Sequence, residues 1–178
     1  LGPPRTYTDG MTRPTQRQYT GTAGRIENAQ VAVYLAYAGP NSHALVDREL
    51  YLPKSWIDDS ERRQCAGVPT DVEFATKPAL AERMITRAVA AGVPARWATG
   101  DEVYGADPDL RAAIAAQGLG YVLAVGSNRT VTTSTGSQRV DELARSLPRR
   151  AWRRVSAGTG AKGQRWYSCL LYTSDAAD

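Results

Sequence analysis

The sequence predicts an α/β fold built on a mixed sheet. Two stretches rich in β-forming residues, 29–38 and 44–52, flank a Gly-Pro-Asn-Ser turn signal and predict an antiparallel hairpin. Further along, a strand, a helix and a second strand follow within about thirty residues, an order typical of a right-handed βαβ unit with parallel strands. Antiparallel pairing followed by parallel pairing indicates a mixed sheet with flanking helices.

The N-terminal third is predicted to contain an irregular segment, strands, turns and a short helix. Residues 1–15 are rich in proline, threonine and arginine and predict an irregular stretch. Residues 18–24 carry two glycines and predict a polar loop or strand, without the glycine spacing of a phosphate-binding loop. Because the first hairpin strand is nearly all apolar, we expect both of its faces to be buried. Residues 60–65 predict one or two helical turns beside the apolar anchor Trp56.

Two helices and two strands follow. A helix is predicted over 78–91, with Pro78 near its start, Gly92 past its end, and Leu80 and Met84 facing the core. A second helix begins after the N-cap Asp107 and runs to residue 117. Residues 95–99 and 121–125 are the strands on either side of it.

The C-terminal third predicts smaller elements. Residues 126–138 read as a Ser/Thr/Gly loop, and 140–147 as a short helix. Residues 151–156 and 164–167 predict two strands joined by a glycine-rich loop. Trp152 and Trp166 are expected to pack across these strands.

Composition excludes several classes of protein. The chain has 178 residues, 42% of them apolar, which suits one domain or part of one. It has one histidine and two cysteines without metal-ligand spacing, so a zinc site, a disulfide framework or a His-based triad is not expected. No apolar run of about 18 residues is present, so we expect no membrane segment and a cytoplasmic location.

Positive charge is concentrated near the C-terminal end. The whole chain has a net charge of +4, whereas residues 139–165 hold eight basic and two acidic residues, a net +6. Such a local field suits phosphate backbones, and a solvated surface is the alternative. The candidate DNA-binding residues are Arg149, Arg150, Arg153, Arg154 and Lys162.

Asp101 is the candidate catalytic and metal-binding residue. It follows the strand 95–99, and parallel sheets carry their chemistry at the carboxyl ends of strands. A carboxylate there could hold a divalent metal or act on a substrate. The alternative is that Asp101 and Glu102 are solvated turn residues.

Four motifs, in this order, resemble bacterial insertion-sequence transposases of the DDE superfamily. They are Gln16–Asn28, Asp47–Trp56, Glu73–Pro78 and Ala98–Gly105, and the resemblance covers residues 16–167. It implies an incomplete ribonuclease H-like core and a DNA cleavage and strand-transfer activity on transposon ends. In this family three carboxylates hold two divalent metals, usually Mg²⁺, and Asp101 matches the second acid. The resemblance also implies nucleoid association and leaves homo-oligomerisation open.

The chain departs from this family at both ends. Gly2 and Pro3 stand where the first acid is expected, and Asp9 lies downstream of that position. The third acid, a Glu, is expected beyond Tyr167, so we expect a truncated fragment. Residues 168–178 resemble a translated sequencing adapter and are interpreted as a non-native tail.

Three functions remain open on the sequence. The first is a metal-dependent DNA transposase, at least in the parent protein. The second is a catalytically inactive remnant of that core, with weak, salt-dependent DNA binding. The third is an unrelated hydrolase or phosphatase using Asp101, which is disfavoured because the chain lacks a nucleophile elbow and a histidine partner.

Overall fold

The computed structural model describes residues 16–20, 24–133, 136–160 and 163–169. The chain divides into two compact units, Leu1–Ala124 and Val125–Asp178. Both contain helices and strands, so the α/β class is confirmed. The predicted irregular N-terminus, Lys162 and most of the predicted tail lie outside the described residues.

The first elements that the structure describes are two antiparallel hairpins. Strand β1 (Gln16–Thr20) pairs with β2 (Arg25–Ala29), and β3 (Val31–Ala38) pairs with β4 (His43–Tyr51). The predicted second hairpin is therefore confirmed. The expected burial of both faces of β3 is wrong: Val33 is buried, whereas its neighbour Tyr34 is 58% exposed. A hairpin that packs a helix on one face leaves alternate side chains in solvent.

Three helices follow the hairpins. They are α1 (Lys54–Ile57), α2 (Ser60–Cys65) and α3 (Lys77–Ala90). Trp56 of α1 is fully buried, and the Arg62 guanidinium of α2 lies 3.8 Å from the centre of its ring. Thr76 caps α3 by accepting a hydrogen bond from the Ala79 amide.

The predicted βαβ unit is present. Strand β5 (Trp97–Gly100) pairs in parallel with β6 (Gly120–Leu123), and between them lie the short helix α4 (Glu102–Gly105) and α5 (Pro108–Ala116). Asp107 caps α5 by accepting a hydrogen bond of 3.0 Å from the Leu110 amide. Gly118 takes a positive φ of 74° just after α5, which is why a glycine closes this helix.

One hydrophobic cluster joins the two strand pairs to α3 and α5. Its buried members are Val33, Ala75, Leu80, Ala81, Met84, Leu110 and Ile114, with Ala98 of β5 and Leu123 of β6 packed against them. Among the described residues, β3–β4 and β5–β6 are separate two-stranded sheets, and no strand hydrogen-bonds to both. Instead, residues of β3, α3 and β5 line a mostly apolar groove of about 440 Å³.

The described residues of the second unit form two hairpins, a short helix and a 3₁₀ turn. Strands β7 (Thr130–Thr133) and β8 (Gly136–Arg139) form a hairpin within the stretch predicted to be a loop, followed by α6 (Val140–Ser146) and a 3₁₀ turn (Arg149–Ala151). Strands β9 (Arg153–Gly160) and β10 (Gly163–Cys169) then pair antiparallel. The predicted pairing of Trp152 with Trp166 is wrong, because Ser156 lies opposite Trp166.

The helices of both units are short. The longest described helix, α3, has 14 residues. None of the helices in the described part of the chain is both long and apolar enough to cross a membrane.

Candidate functional site

Asp101 lies at the carboxyl end of β5, where the parallel pair ends and α4 begins. It is the N-cap of α4, and its Oδ1 accepts a hydrogen bond of 2.9 Å from the Val103 amide. The residue is exposed to solvent. Its carboxylate thus has a local structural role and also faces solvent at the edge of the sheet where ligands of α/β proteins bind.

The backbone of α4 packs closely against the end of β6, beside Asp101. We call this region, residues 100–105 together with Ala124, the corner. Gly105, the last residue of α4, is buried, and a Cβ built there would lie 1.9 Å from the carbonyl oxygen of Ala124, just past β6. The Ala124 amide donates to the Gly100 carbonyl at 3.0 Å, and Arg111 Nη1 donates to the Gly105 carbonyl at 2.6 Å. Only glycine allows α4 to approach β6 this closely, so Gly105 holds the cap residue Asp101 at the end of β5.

Tyr104 is the aromatic neighbour of the carboxylate. Burial raises the pKa of its phenol, and the negative charge of Asp101 raises that pKa further. The phenol is therefore neutral at physiological pH. It contributes packing and a hydroxyl to this corner without adding negative charge.

The carboxylate of Asp101 suits a hard divalent cation, but the described residues do not complete a site for one. No three Asp, Glu, His or Cys side chains within the described ranges are grouped so that they could hold a metal. Octahedral Mg²⁺ can keep several waters and bind through one or two carboxylates. A two-metal centre requires more carboxylates than Asp101 provides, so the described residues do not fit that centre.

The candidate DNA-binding arginines form one exposed stretch of the second unit. Arg149 and Arg150 lie in the 3₁₀ turn, and Arg153 and Arg154 begin β9. All four are exposed, and none forms an ion pair with another described residue. They remain available for contact with an anionic partner.

The positive charge is more localised than the sequence count indicates. Arg139 and Arg145 both contact Asp141, at 3.0 and 2.8 Å, and these contacts help to lower the pKa of that carboxyl to about 2. Asp141 and Glu142, whose carboxylate lies 3.8 Å from the Arg139 guanidinium, together offset the charge of these two arginines. The rest of the positive excess falls on residues 149–165, where the sequence contains no acid.

Two residues of the second unit were not among the sequence candidates. Arg165 of β10 is exposed, and its Nη2 donates to the Ala157 carbonyl across the hairpin. Trp166 is 51% exposed, and the guanidinium of Arg154 lies 4.8 Å from the centre of its ring. Basic residues interleaved with an exposed aromatic were the available signal, because that combination is typical of nucleic-acid surfaces.

One comparison with known proteins identifies a family. Residues 9–135 match the family described as DDE superfamily endonuclease, a range that includes β1 to β7 and Asp101. No curated protein and no solved structure matches the chain significantly. Because the matched range covers more than half of the sequence, the chain belongs to the DDE superfamily endonuclease family.

Proposed function

We propose that this chain is part of a DNA transposase of an insertion sequence, with Asp101 as one carboxylate ligand of a divalent metal. The family match supports an enzyme that acts on DNA. The observation that carries the residue assignment is the position of Asp101 at the carboxyl end of a parallel strand pair. Mg²⁺ is the proposed metal, since carboxylate oxygen is its preferred protein ligand.

The proposed core is a ribonuclease H-like mixed sheet. The β3–β4 and β5–β6 pairs both contribute side chains to, or pack against, one cluster that includes residues of α3 and α5, and residues of β3 and β5 line one apolar groove. The chain order, antiparallel pair then parallel pair, is the order that such a sheet requires. We therefore interpret β3–β4 and β5–β6 as two parts of one sheet.

The proposed DNA contact is made by the arginines of residues 149–154. Each phosphate contact lowers the logarithm of the binding constant by about 0.9 per tenfold rise in salt. Reversing all four charges should therefore lower the binding constant for a duplex and reduce the salt slope by up to about 3.6, the value if each arginine contacts a phosphate. The variant replaces four residues by Glu: Arg149, Arg150, Arg153 and Arg154.

A matched control distinguishes the effect of where the reversed charges lie from the effect of the changed net charge. The control variant carries the same charge change on exposed arginines of the first unit: Arg17, Arg48, Arg83 and Arg96. Fluorescence anisotropy with a labelled 30-base-pair duplex at several salt concentrations measures both slopes. An unchanged slope in the 149–154 variant, or an equal loss in the control, would refute the assignment.

The second candidate is a remnant that binds DNA without cutting it. It is favoured by Gly2 and Pro3, which stand where the resemblance to the transposase family expects the first acid. On this account the polypeptide does not nick supercoiled plasmid in Mg²⁺ or Mn²⁺. Metal-dependent nicking that disappears in Asp101→Ala would instead establish the polypeptide as a competent nuclease.

A further inference from the structure

Within the described part of the chain, strands β9 and β10 form a two-stranded ribbon whose side chains are exposed on both faces. Every described side chain of Arg153–Thr159 and of Gly163–Cys169 is exposed. A two-stranded ribbon without a hydrophobic cover gains little stability from its own pairing. A surface of this kind is suited to docking against a partner.

The register sorts the side chains of the ribbon onto two different faces. Val155 lies opposite Tyr167, and Ser156 opposite Trp166, while an irregularity between Gln164 and Trp166 brings Thr159 opposite Gln164. Successive residues of a strand point to opposite sides, so residues that lie opposite one another share a face. On one of the two faces most of these side chains are polar. We call it the polar face, and its members are Arg154, Ser156, Thr159, Gln164, Trp166 and Ser168, which lies opposite Arg154.

Contacts between its side chains organise the polar face. Gln164 Nε2 donates to Ser156 Oγ, and Thr159 Oγ1 donates to Gln164 Oε1 at 3.1 Å. The Arg154 guanidinium is stacked over the ring of Trp166. The donors and acceptors of this face are therefore held in a row along the ribbon. The opposite face carries Val155 and Tyr167, together with the remaining arginines.

Arginine, glutamine, serine and threonine are among the side chains that read base edges. Arginine pairs with guanine O6 and N7, glutamine with adenine N6 and N7, and serine or threonine with either. The major groove is about 12 Å wide and admits a two-stranded ribbon, whereas the minor groove is about 6 Å wide. The eight residues of β9 span roughly 26 Å, equivalent to about eight base pairs along the duplex.

We propose that the β9–β10 ribbon enters the major groove of duplex DNA with its polar face on the base edges. The inference rests on the proposed function, because the partner is the DNA on which this family acts. Arg149 and Arg150 precede the ribbon and supply phosphate contacts at its entry. Arg154 and Gln164 then provide sequence preference, and Trp166 holds the Arg154 guanidinium in place.

The test begins with selection of a binding site by the full chain from a random 20-base-pair pool. The selected duplex is then prepared with 7-deazaguanine and 7-deazaadenine, which remove the N7 acceptors of the major groove. We expect binding on the order of tenfold weaker for each lost arginine or glutamine contact. Distamycin, which fills the minor groove, should leave binding unchanged.

Substitutions assign the effect to one face. Arg154→Lys keeps the charge and loses the forked donor pair, so it should retain the salt slope and lose preference for the selected duplex over a scrambled one. Arg153→Lys, on the opposite face, should retain both. Gln164→Ala should lose preference in the same way as Arg154→Lys.

The outcomes distinguish this inference from the function on which it rests. If the chain binds DNA through residues 149–154 but selects no sequence, is indifferent to 7-deazapurines, or is displaced by distamycin, the major-groove inference is wrong and the DNA-binding proposal stands. If charge reversal at 149–154 leaves DNA binding unchanged, both are wrong. Equal effects of Arg153→Lys and Arg154→Lys on sequence preference would refute the assignment of the polar face.

Discussion

Replacing Gly105 by alanine tests whether the backbone packing beside Asp101 maintains the fold. The added Cβ would lie 1.9 Å from the Ala124 carbonyl oxygen, whereas real Cβ contacts essentially never fall below 3.0 Å. The backbone of α4 and the end of β6 must therefore separate by about 1.1 Å, the difference between those distances. Hydrogen bonds from Arg111 and to Gly100 oppose that movement.

The expected cost of Gly105→Ala is about 3 kcal/mol, at the upper end of the usual range for overpacking, because the obstacle is backbone. Urea denaturation followed by tryptophan fluorescence measures it, and a thermal melt should fall by roughly 6–12 °C. Gly39→Ala is the matched control: its nearest contacts are 3.7 Å away and its φ is not positive. We expect that control to be neutral or to stabilise by up to about 1 kcal/mol.

A loss smaller than about 0.5 kcal/mol in Gly105→Ala would refute this reasoning. So would an equal loss in Gly39→Ala, since that would indicate a general intolerance of added methyl groups. The amide chemical shift of Val103, which donates to Asp101, is a second measurement of the same effect. It should move in Gly105→Ala, because the cap that Asp101 provides to α4 moves with the helix.

Three further predictions concern the core and the surface ion pairs. Met84→Ala should destabilise the chain by about 2–5 kcal/mol in urea denaturation, because Met84 is fully buried in the cluster around α3. The Asp141 carboxyl should titrate near pH 2 by NMR, and Arg139→Ala should move its pKa up toward the ordinary value of 3.8. Because the pKa of this group is lower in the folded than in the unfolded state, its contribution to stability is present above the unfolded pKa. That contribution is lost as the pH falls from about 4 to 2. Arg87→Ala should likewise raise the pKa of Asp47, which its guanidinium lowers mainly through a hydrogen bond, and an Asp47 titration indifferent to that change would contradict the described contact.

Elements with strong local signals could be predicted from the sequence. The N-cap Asp107 followed by Pro108 located the start of α5, and Gly118 located its end. The turn signal at residues 39–42 located the β3–β4 hairpin. Each of these signals acts within a few residues, so tertiary context is not needed to interpret them.

Features that depend on pairing could not be predicted in the same way. The β7–β8 hairpin lies in a Ser/Thr/Gly stretch without apolar alternation, and its cross-strand contact is the hydroxyl pair Thr132–Ser137 at 3.2 Å. The partner of Trp166 depends on a register that composition does not determine. Burial along β3 was overestimated because an apolar run indicates burial without specifying which faces are covered.

At the candidate site, too, some features follow from local sequence and others depend on tertiary structure. The position of Asp101 at the end of β5 could be predicted because a carboxylate after a short apolar strand is a local pattern, and the structure adds its N-cap hydrogen bond and the nearby Tyr104. Gly105 could not be assigned a role, because its close approach to Ala124 arises from two segments nearly twenty residues apart. The pairing of Arg139 and Arg145 with Asp141 likewise appears only in three dimensions.

Paramagnetic broadening by Mn²⁺ tests most directly whether Asp101 is a metal ligand. In the full chain, low Mn²⁺ concentrations should broaden the amide signals of Glu102, Val103 and Tyr104 before others. Asp101→Asn keeps a cap acceptor but loses the charge, so it should abolish that broadening. Asp107→Asn, the same change at the cap of α5, should leave it intact. Unchanged broadening in Asp101→Asn, or first broadening elsewhere in the chain, would contradict the proposed metal role of Asp101.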